Sequence, residues 1–215
     1  KSSFFELVKI IGTLNYFNSQ NNMTNEEKTN LLLQKLKEGD KKAFDEIVSL
    51  YEKTVYRICH RFFYNEEDAI DATQDVFIKV YRNIDKFEGR SSFNTWLYRI
   101  ATNTCFTISE KKKKEKEGLL QMVIGWWNSF SKQTPEEFVL DEEEKKLNQK
   151  LVGENVAKLP ELYRIPLILK DMEGMSIEKI SEVLEIPVGT VKSRLNRGRA
   201  MLHEKLESFM KVNKE

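Results

Sequence analysis

Glycine, proline, cysteine and histidine are all scarce in this chain. Its 215 residues include only nine glycines and four prolines, which is too few to punctuate a fold of many short strands and tight turns. The two cysteines, Cys59 and Cys105, and the two histidines, His60 and His203, do not have the spacing of metal ligands. We therefore expect helices, no bound metal, and a cysteine content that suits a reducing cytosol.

Long apolar runs and catalytic motifs are missing as well. The apolar stretch KSSFFELVKIIGTLNYF is interrupted by Glu6 and Lys9 and has no small-residue cleavage site. It therefore predicts neither a membrane span nor a signal peptide. The sequence has no glycine-rich phosphate loop and no nucleophile–base pair in a recognisable motif. An enzyme is the least favoured class, and no cofactor or small-molecule substrate is expected.

Positive charge is concentrated near the end of the chain, although the net charge is only +1. A nucleic-acid function must therefore rest on local clustering. At about 100° per residue, a helix over 188–206 has one apolar stripe and one basic, hydrogen-bonding face. The stripe contains Val188, Val191, Leu195, Gly198, Leu202 and Leu206. The opposite side contains Thr190, Ser193, Arg194, Asn196 and Arg197, with Lys192 and Arg199 flanking the stripe.

The segment before this basic helix, GMSIEKISEVLEIP, predicts a shorter helix. Ser176 can cap it, and Pro187 suits the start of the next helix because its missing N–H has no intrahelical partner there. A short helix, a tight turn and a basic helix together form a helix-turn-helix. The second helix of such a motif lies in the major groove of DNA. An ordinary exposed amphipathic helix would give a similar pattern.

The first half of the chain, from Leu31 to about Lys114, also has helical periodicity. Asn65 is positioned to cap a helix. The inner stripe of that helix is expected to contain Ala69, Ala72, Val76, Val80 and Ile84. Glu67, Asp71, Gln74, Asp75 and Lys79 lie largely off this stripe, so one face is apolar and the other is acidic and polar.

A further helix is expected after the loop KFEGRSSF. Its predicted buried side contains Phe93, Trp96, Leu97, Ile100 and Ala101. Its predicted exposed side contains Asn94, Thr95, Tyr98, Arg99, Thr102 and Asn103. The run KKKKEKE follows, and it is either a solvated helix end or a set of contacts to backbone phosphates.

A linker is predicted next, in GLLQMVIGWWNSFSKQTPEEF, because of its glycine, serine and proline content. Trp126 and Trp127 would expose a large apolar area in a free linker. We expect them to dock on a neighbouring domain or on a partner's groove. Docking within the free protein would give a closed form in which the nucleic-acid-binding faces are partly hidden.

Two separate segments resemble bacterial sigma factors of the extracytoplasmic-function (ECF) type. LPELYRIPLILKDMEGMSIEKISEVLEIPVGTVKSRLNRGRAML is similar to the fourth conserved region of that family, and IPVGTVKSRLNRGR is close to its recognition helix. EEDAIDATQDVFIKVYRNIDKFEGRSSFNTWLYRIATN is similar to the second region. The chain departs from the family pattern at Lys179, where Glu is usual, at Ser181, where Ala is usual, and at Pro166, which interrupts a helix.

The resemblance covers roughly residues 31–208 and implies an all-α fold of two helical domains joined by a linker. Residues 31–117 would be region 2, residues 118–140 the linker, and residues 141–210 region 4 with the helix-turn-helix. Residues 1–30 are expected to be an N-terminal extension that is either not native or disordered. The stretch 1–22 matches nothing in the family, and a regulatory or docking role for it stays open.

The resemblance also implies roles for individual residues. Asp68, Asp71, Gln74 and Asp75 match the family surface that docks on core RNA polymerase. Candidates for reading the −10 element, where a melted base leaves the stack, are Tyr98, Arg99, Asn103, Thr104, Phe106, Thr107, Lys111 and Lys112. Candidates for reading the −35 element as duplex DNA are Thr190, Lys192, Ser193, Arg194, Asn196, Arg197 and Arg199.

The function implied by the resemblance is that of a sigma factor, not an enzyme. Its expected partners are core RNA polymerase, promoter DNA and an anti-sigma factor. The expected location is the bacterial cytoplasm, with the chain held at the membrane when a membrane-anchored anti-sigma factor binds it. The alternative is a helix-turn-helix transcription regulator that acts without docking on polymerase, since such a protein needs only the C-terminal motif.

Overall fold

The computed structural model describes residues 24–123 and 151–212, and the side chains of residues 24–115 and 151–207. Every regular element in these ranges is helical, which confirms the predicted fold class. The N-terminal domain contains α1 (Asn25–Lys37), α2 (Lys42–Phe63), α3 (Glu66–Asn83), a 3₁₀ turn (Ile84–Lys86) and α4 (Phe93–Val123). The C-terminal domain contains a helical segment over 151–157, α5 (Glu161–Leu167), a π-helical continuation (Ile168–Met172), α6 (Ile177–Leu184) and α7 (Val188–Val212).

Helix α1 begins earlier than residue 31, where we expected the domain to start. Thr24 and Glu27 form a capping box in which Thr24 Oγ1 accepts from the Glu27 amide at 3.2 Å and Glu27 Oε2 accepts from the Thr24 amide at 2.8 Å. Thr29 is buried, and its hydroxyl lies 2.8 Å from the hydroxyl of Tyr51 on α2. The ordered N-terminal domain therefore includes residues 25–30, which we had assigned to the extension.

Helix α3 has the amphipathic form that the sequence predicts. Asn65 is its N-cap, since Asn65 Oδ1 accepts from the Asp68 amide at 2.9 Å. The five residues of the predicted stripe are all buried, against α2 on one side and α4 on the other. Periodicity alone was enough here because α3 has one apolar face and one polar face.

Helix α4 differs from its predicted pattern at several positions. Trp96 and Ile100, which we expected to be buried, are only half-buried. Thr95 and Thr102, which we expected on the exposed side, are buried. Thr95 lies at the helix start, where its amide donates to Ser92 Oγ at 3.3 Å. Thr102 is covered by the C-terminal domain, with which it lines a small apolar cavity.

The C-terminal domain contains the predicted helix-turn-helix. Ser176 caps α6, with Ser176 Oγ accepting from the Lys179 amide at 3.1 Å. The Ser181 hydroxyl closes the turn by donating to the Ile186 carbonyl at 2.6 Å, a role that the alanine usual in the family would not fill. The Pro187 carbonyl starts α7 by accepting from the Val191 amide at 3.1 Å.

The helix before this motif is irregular, as Pro166 suggests. Proline has no N–H and its ring crowds the carbonyl four residues earlier, so it disturbs a regular α-helix. The chain widens into the π-helix Ile168–Met172 just after it. Glu173 ends this segment, and Gly174 turns the chain toward α6 with a φ of +71°. Glycine suits this left-handed backbone because it has no Cβ.

The two domains contact each other directly. Ile165, Ile168 and Leu169 of the C-terminal domain line a small apolar cavity together with residues of α2 and α4. Gly153 approaches the ring of Tyr64 so closely that an added Cβ would lie 2.0 Å from Tyr64 Cε2. Trp126 and Trp127, for which we predicted docking, lie outside the described residues.

Candidate nucleic-acid and protein interfaces

Helix α7 presents a hydrogen-bonding face to solvent. Val191, Leu195 and Gly198 point inward and are buried. Gly198 favours this close packing, since an added Cβ would lie 3.3 Å from the Tyr163 carbonyl oxygen, closer than an ordinary van der Waals contact. Of the seven residues predicted to read DNA, five are exposed and Thr190 and Arg194 are half-exposed. The exposed five are Lys192, Ser193, Asn196, Arg197 and Arg199.

Arg199 differs from the other cations of α7 because it is paired within its own domain. Its Nε and Nη2 donate to Asp171 at 3.0 and 2.6 Å, and this bond raises the pKa of Arg199. Lys192, Arg194 and Arg197 form no ion pair with any described residue. These three side chains are therefore the cations that α7 can offer to a phosphate or a base edge.

The predicted −10 residues at the middle of α4 are only partly accessible. Asn103 and Thr107 are exposed, and the Thr107 hydroxyl donates to the Asn103 carbonyl at 2.8 Å. Thr104 is buried, and its hydroxyl accepts from Lys79 Nζ at 3.1 Å. Phe106 is half-buried, with its ring centroid 6.4 Å from that of Phe62. In this arrangement only Asn103 and Thr107 present their side chains fully to solvent.

Tyr98 and Arg99, at the start of the same helix, lie at the contact between the domains. Arg99 Nη2 donates to the Glu182 carbonyl at 2.8 Å, and Arg99 Nη1 lies 2.9 Å from Glu185 Oε1. Burial raises the pKa of Tyr98, and the negative charge of Glu173 adds to this effect. Both predicted −10 residues therefore face the helix-turn-helix domain.

The lysines near the end of α4 do not share one environment. Lys111 is exposed, with its Nζ 3.8 Å from Glu115 Oε1. Lys112 pairs with Asp68 and its Nζ lies 5.9 Å from the centroid of the Phe63 ring. Lys112, which we predicted to contact phosphate, is thus paired with Asp68, which we predicted to contact polymerase.

The exposed face of α3 is larger and more apolar than the predicted polar set. Asp71, Gln74 and Asp75 are exposed as expected. Ile70 and Ile78 lie on the same face with 43% and 46% of their surfaces exposed. Sequence reasoning missed both isoleucines because it assigned the face by its charges; their spacing around Gln74, four residues either way, was the available signal.

The described residues contain no cluster of His, Cys, Asp and Glu side chains that could hold a metal ion. Within the same ranges, each helix is too short or too polar to cross a membrane.

Comparisons with known proteins agree with this arrangement of two domains. Residues 47–115 match the family model of sigma-70 region 2, and residues 151–202 match that of sigma-70 region 4. Among curated proteins, the ECF RNA polymerase sigma factor SigW of Bacillus subtilis is 36% identical over 185 residues, covering 82% of this chain and 96% of SigW. The ECF RNA polymerase sigma-E factor of Haemophilus influenzae is 35% identical over 185 residues, covering 83% of this chain and 95% of that protein.

Solved structures share the fold. CnrH in complex with the cytosolic domain of CnrY aligns with a TM-score of 0.57 at 21% identity, over 85% of this chain and 99% of CnrH. The sigma factor RpoE of Bartonella quintana, in complex with the anti-sigma factor NepR, aligns with a TM-score of 0.56 at 24% identity, over 77% of this chain and 98% of RpoE. The family resemblance read from the sequence is confirmed, and the chain belongs to the ECF sigma factors of bacterial RNA polymerase.

Proposed function

We propose that three surfaces on the two domains carry out the activity of this ECF sigma factor. As a member of that family, the protein binds core RNA polymerase and directs promoter recognition and transcription initiation. It is an initiation factor and not an enzyme. The alternative, a helix-turn-helix regulator that does not dock on polymerase, does not account for the match of residues 47–115 to sigma-70 region 2.

The first surface is the outer face of α3, which docks on polymerase. Asp71, Gln74 and Asp75 supply charge and hydrogen bonds, and they are exposed. Ile70 and Ile78 supply apolar area on the same face. Exposed apolar residues within a polar rim are typical of a protein interface. Asp68 belongs to the edge of this surface, where Lys112 holds it in the free chain.

The second surface is the outer face of α7, which reads the −35 element. Lys192, Arg194 and Arg197 can approach phosphates and base edges because no described residue pairs with them. Thr190, Ser193 and Asn196 offer hydrogen bonds from the same face. Arg199 lies at the edge, oriented by Asp171, and we place it on the phosphate backbone.

The third surface is the solvent side of α4, which reads the melted −10 element. Asn103 and Thr107 are accessible, and Tyr98 and Arg99 become so when the domains separate. Thr104 and Phe106 pack into the N-terminal domain, so their contribution requires a rearrangement of α4. Lys111 would hold the backbone of the strand, with Lys112 beside it once Asp68 has engaged polymerase.

The observation that carries this proposal is the presence of two helical domains that match region 2 and region 4 and have separate exposed polar faces. Region 2 extends from α1 to about residue 117 and region 4 from about residue 141 to residue 210, with a linker between them. The test is run-off transcription with purified core polymerase, followed by mapping of the start sites. Promoters with shared −35 and −10 sequences at a fixed spacing are expected. The proposal would be overturned if core polymerase gave the same transcripts with and without the added protein.

An anti-sigma factor is the proposed regulatory partner. Support comes from RpoE of Bartonella quintana, whose structure was solved with the anti-sigma factor NepR. The proposed site of action is the cytoplasm, and a membrane-anchored anti-sigma factor would hold the chain at the membrane. Affinity purification of the tagged chain from membrane and cytosolic fractions of its own bacterium tests this. Recovery of one small partner protein at equal stoichiometry is expected, and recovery of polymerase alone would contradict it.

A further inference from the structure

Glu173 joins the two domains through two arginines of α2. Arg57 Nε donates to Glu173 Oε1 at 2.9 Å and Arg57 Nη2 donates to Glu173 Oε2 at 2.7 Å, which is a bidentate pair. Arg61 Nη1 donates to the same carboxylate and to the Met172 carbonyl, the latter at 2.5 Å. Only 4% of the Glu173 side chain is exposed, so its charge is compensated by the other domain and not by water.

Three further residues, Arg99, Ser109 and Arg164, make polar contacts across the same boundary. Arg99 binds the end of α6 at Glu182 and Glu185. The Ser109 hydroxyl donates to Glu161 Oε1 at 2.7 Å. Arg164 Nη1 donates to the Phe62 carbonyl at 3.2 Å. The domains are therefore joined by a set of oriented charged groups around a small apolar contact.

This closed arrangement is incompatible with simultaneous binding of both promoter elements. The names of the −35 and −10 elements place them about 25 base pairs apart, which is about 85 Å of B-DNA at about 3.4 Å per base pair. In the structure, Arg99 on the −10 helix lies 2.9 Å from Glu185 in the turn before α7. The two DNA-reading helices must move apart before each can reach its element.

Closure also covers part of α4, the helix proposed to read the −10 element. Tyr98 is close enough to Glu173 and Arg57 for both to affect its ionisation. Thr102 and Cys105 line the cavity that Ile165, Ile168 and Leu169 close from the other domain. One side of α4 is therefore covered by the C-terminal domain.

We propose that Glu173 is the latch of a self-inhibited closed form of the free protein, released when polymerase binding separates the two domains. The effect of opening on polymerase binding rests on the proposed function. The latch itself does not, since it concerns the free chain. Glu173 is singled out because its carboxylate receives both arginines of α2. Arg99, by contrast, reaches only the backbone carbonyl of Glu182 and the exposed carboxylate of Glu185. Polymerase then selects the open form by binding it more tightly.

The chain provides its own reporter of opening. Its two thiols, Cys59 and Cys105, are both fully buried, and Cys105 faces the cavity between the domains. A thiol reagent modifies Cys105 in proportion to the open population when closing is fast relative to labelling. The rate is measured on the full chain without polymerase, and peptide mapping identifies the modified cysteine.

The variant is Glu173→Gln, which keeps the size of the side chain and removes its charge. Its matched control is Glu178→Gln in the same domain, where the carboxylate is exposed and has no ion pair among the described residues. We expect Glu173→Gln to increase the labelling rate of Cys105 about tenfold, in line with the loss of a charge-assisted bond. The control should label like the wild type. Equal rates for all three proteins would overturn the latch.

A double-mutant cycle separates a latch from a general loss of stability. Arg57→Gln with Arg61→Gln should open the domains as Glu173→Gln does, and combining all three changes should add little, because they remove one interaction. Full additivity of the labelling rates would overturn the pairing. Far-ultraviolet circular dichroism confirms that every variant keeps its helices.

The regulatory consequence is tested by titrating fluorescently labelled core polymerase with each protein. If the closed form dominates, Glu173→Gln lowers the apparent dissociation constant by up to about tenfold, because the competent fraction rises. Faster labelling with unchanged polymerase affinity would overturn self-inhibition. If the wild-type chain bound no polymerase, the proposed function would be wrong. The labelling experiment, which uses the free chain, would still show whether Glu173 holds the domains closed.

Discussion

Arg164 illustrates how a charged residue can serve structure alone. It is nearly buried, and its Nε and Nη2 donate to the Leu159 carbonyl at 3.0 and 2.6 Å. Its guanidinium carbon lies 4.6 Å from the centroid of the Phe62 ring. Burial lowers the pKa of Arg164. The group stays charged, because the ordinary pKa of a guanidinium group is far above neutral pH. The residue satisfies carbonyls at the ends of helices in both domains, and no DNA-binding role is needed to explain it.

Replacing Arg164 by Leu is expected to destabilise the fold. The change leaves the Leu159 and Phe62 carbonyls without the donors they have here, and buried unsatisfied groups cost about 1–3 kcal/mol. The free energy of unfolding, measured by urea denaturation, should fall by about that amount. Arg197→Leu, at an exposed position of α7, is the matched control and should change it by at most about 0.5 kcal/mol. Equal losses for the two variants would contradict this role.

The arginines of α7 should separate by function. Arg194→Ala and Arg197→Ala are each expected to weaken binding to −35 duplex DNA by about 1–3 kcal/mol and to relax specificity at one position. Arg199→Ala should weaken binding evenly across sequences, because Asp171 orients this side chain toward the domain edge. Binding to a library of −35 variants measures both effects. Loss of specificity only in Arg199→Ala would show that α7 is rotated relative to our placement.

The basic face of α7 could be predicted from sequence, whereas the pairing of Arg199 could not. The face follows from a period of 3.6 residues over a single helix. Asp171 lies on a different element, 28 residues earlier, and no local pattern connects the two. The same limit applies to Thr102, whose burial depends on the other domain.

Among the elements, helices with one apolar face followed the sequence closely. The α3 stripe and the N-caps Asn65 and Ser176 lie where expected. The π-helix after Pro166 and the two-sided burial of α4 were not predicted. The π-helix follows a proline that disturbs regular helical hydrogen bonding. Helix α4 packs against elements of both domains, so that periodicity no longer identifies a single inner face.

Helix α3 should lose polymerase binding when its outer face is altered. Asp71→Lys with Gln74→Ala changes the charge of exposed residues, and Ile70→Ser with Ile78→Ser removes exposed apolar area. Each pair is expected to weaken binding to core polymerase about tenfold or more, with little change in stability. Glu52→Lys, on the exposed side of α2, is the control and should bind normally. Titration of labelled polymerase measures the effect, and wild-type affinity in both pairs would exclude this docking face.

At the scale of the whole molecule, the existence of two domains was predictable and their arrangement was not. Two motifs in order were enough to expect region 2 and region 4, and both family models match. The contacts between the domains join residues as far apart as Arg57 and Glu173, which are 116 positions apart. Such pairs consist of ordinary surface charges in the sequence, and only the folded chain brings them together.

Because the domains share these contacts, they should unfold together. Trp96 lies on α4 of the N-terminal domain. In a background with Trp126→Phe and Trp127→Phe, tryptophan fluorescence therefore reports that domain, whereas far-ultraviolet circular dichroism reports the helices of both domains. In urea the two signals should change at the same midpoint for the wild type, which is the mark of a two-state transition. In Glu173→Gln the domain contact is weakened, so the C-terminal domain should unfold separately and the two midpoints should diverge.

High salt should also separate the two midpoints in the wild type, since it screens the partly exposed ion pairs of Arg57 and Arg99. Two separate transitions in the wild type at low salt would show that the domains are independent of each other in solution.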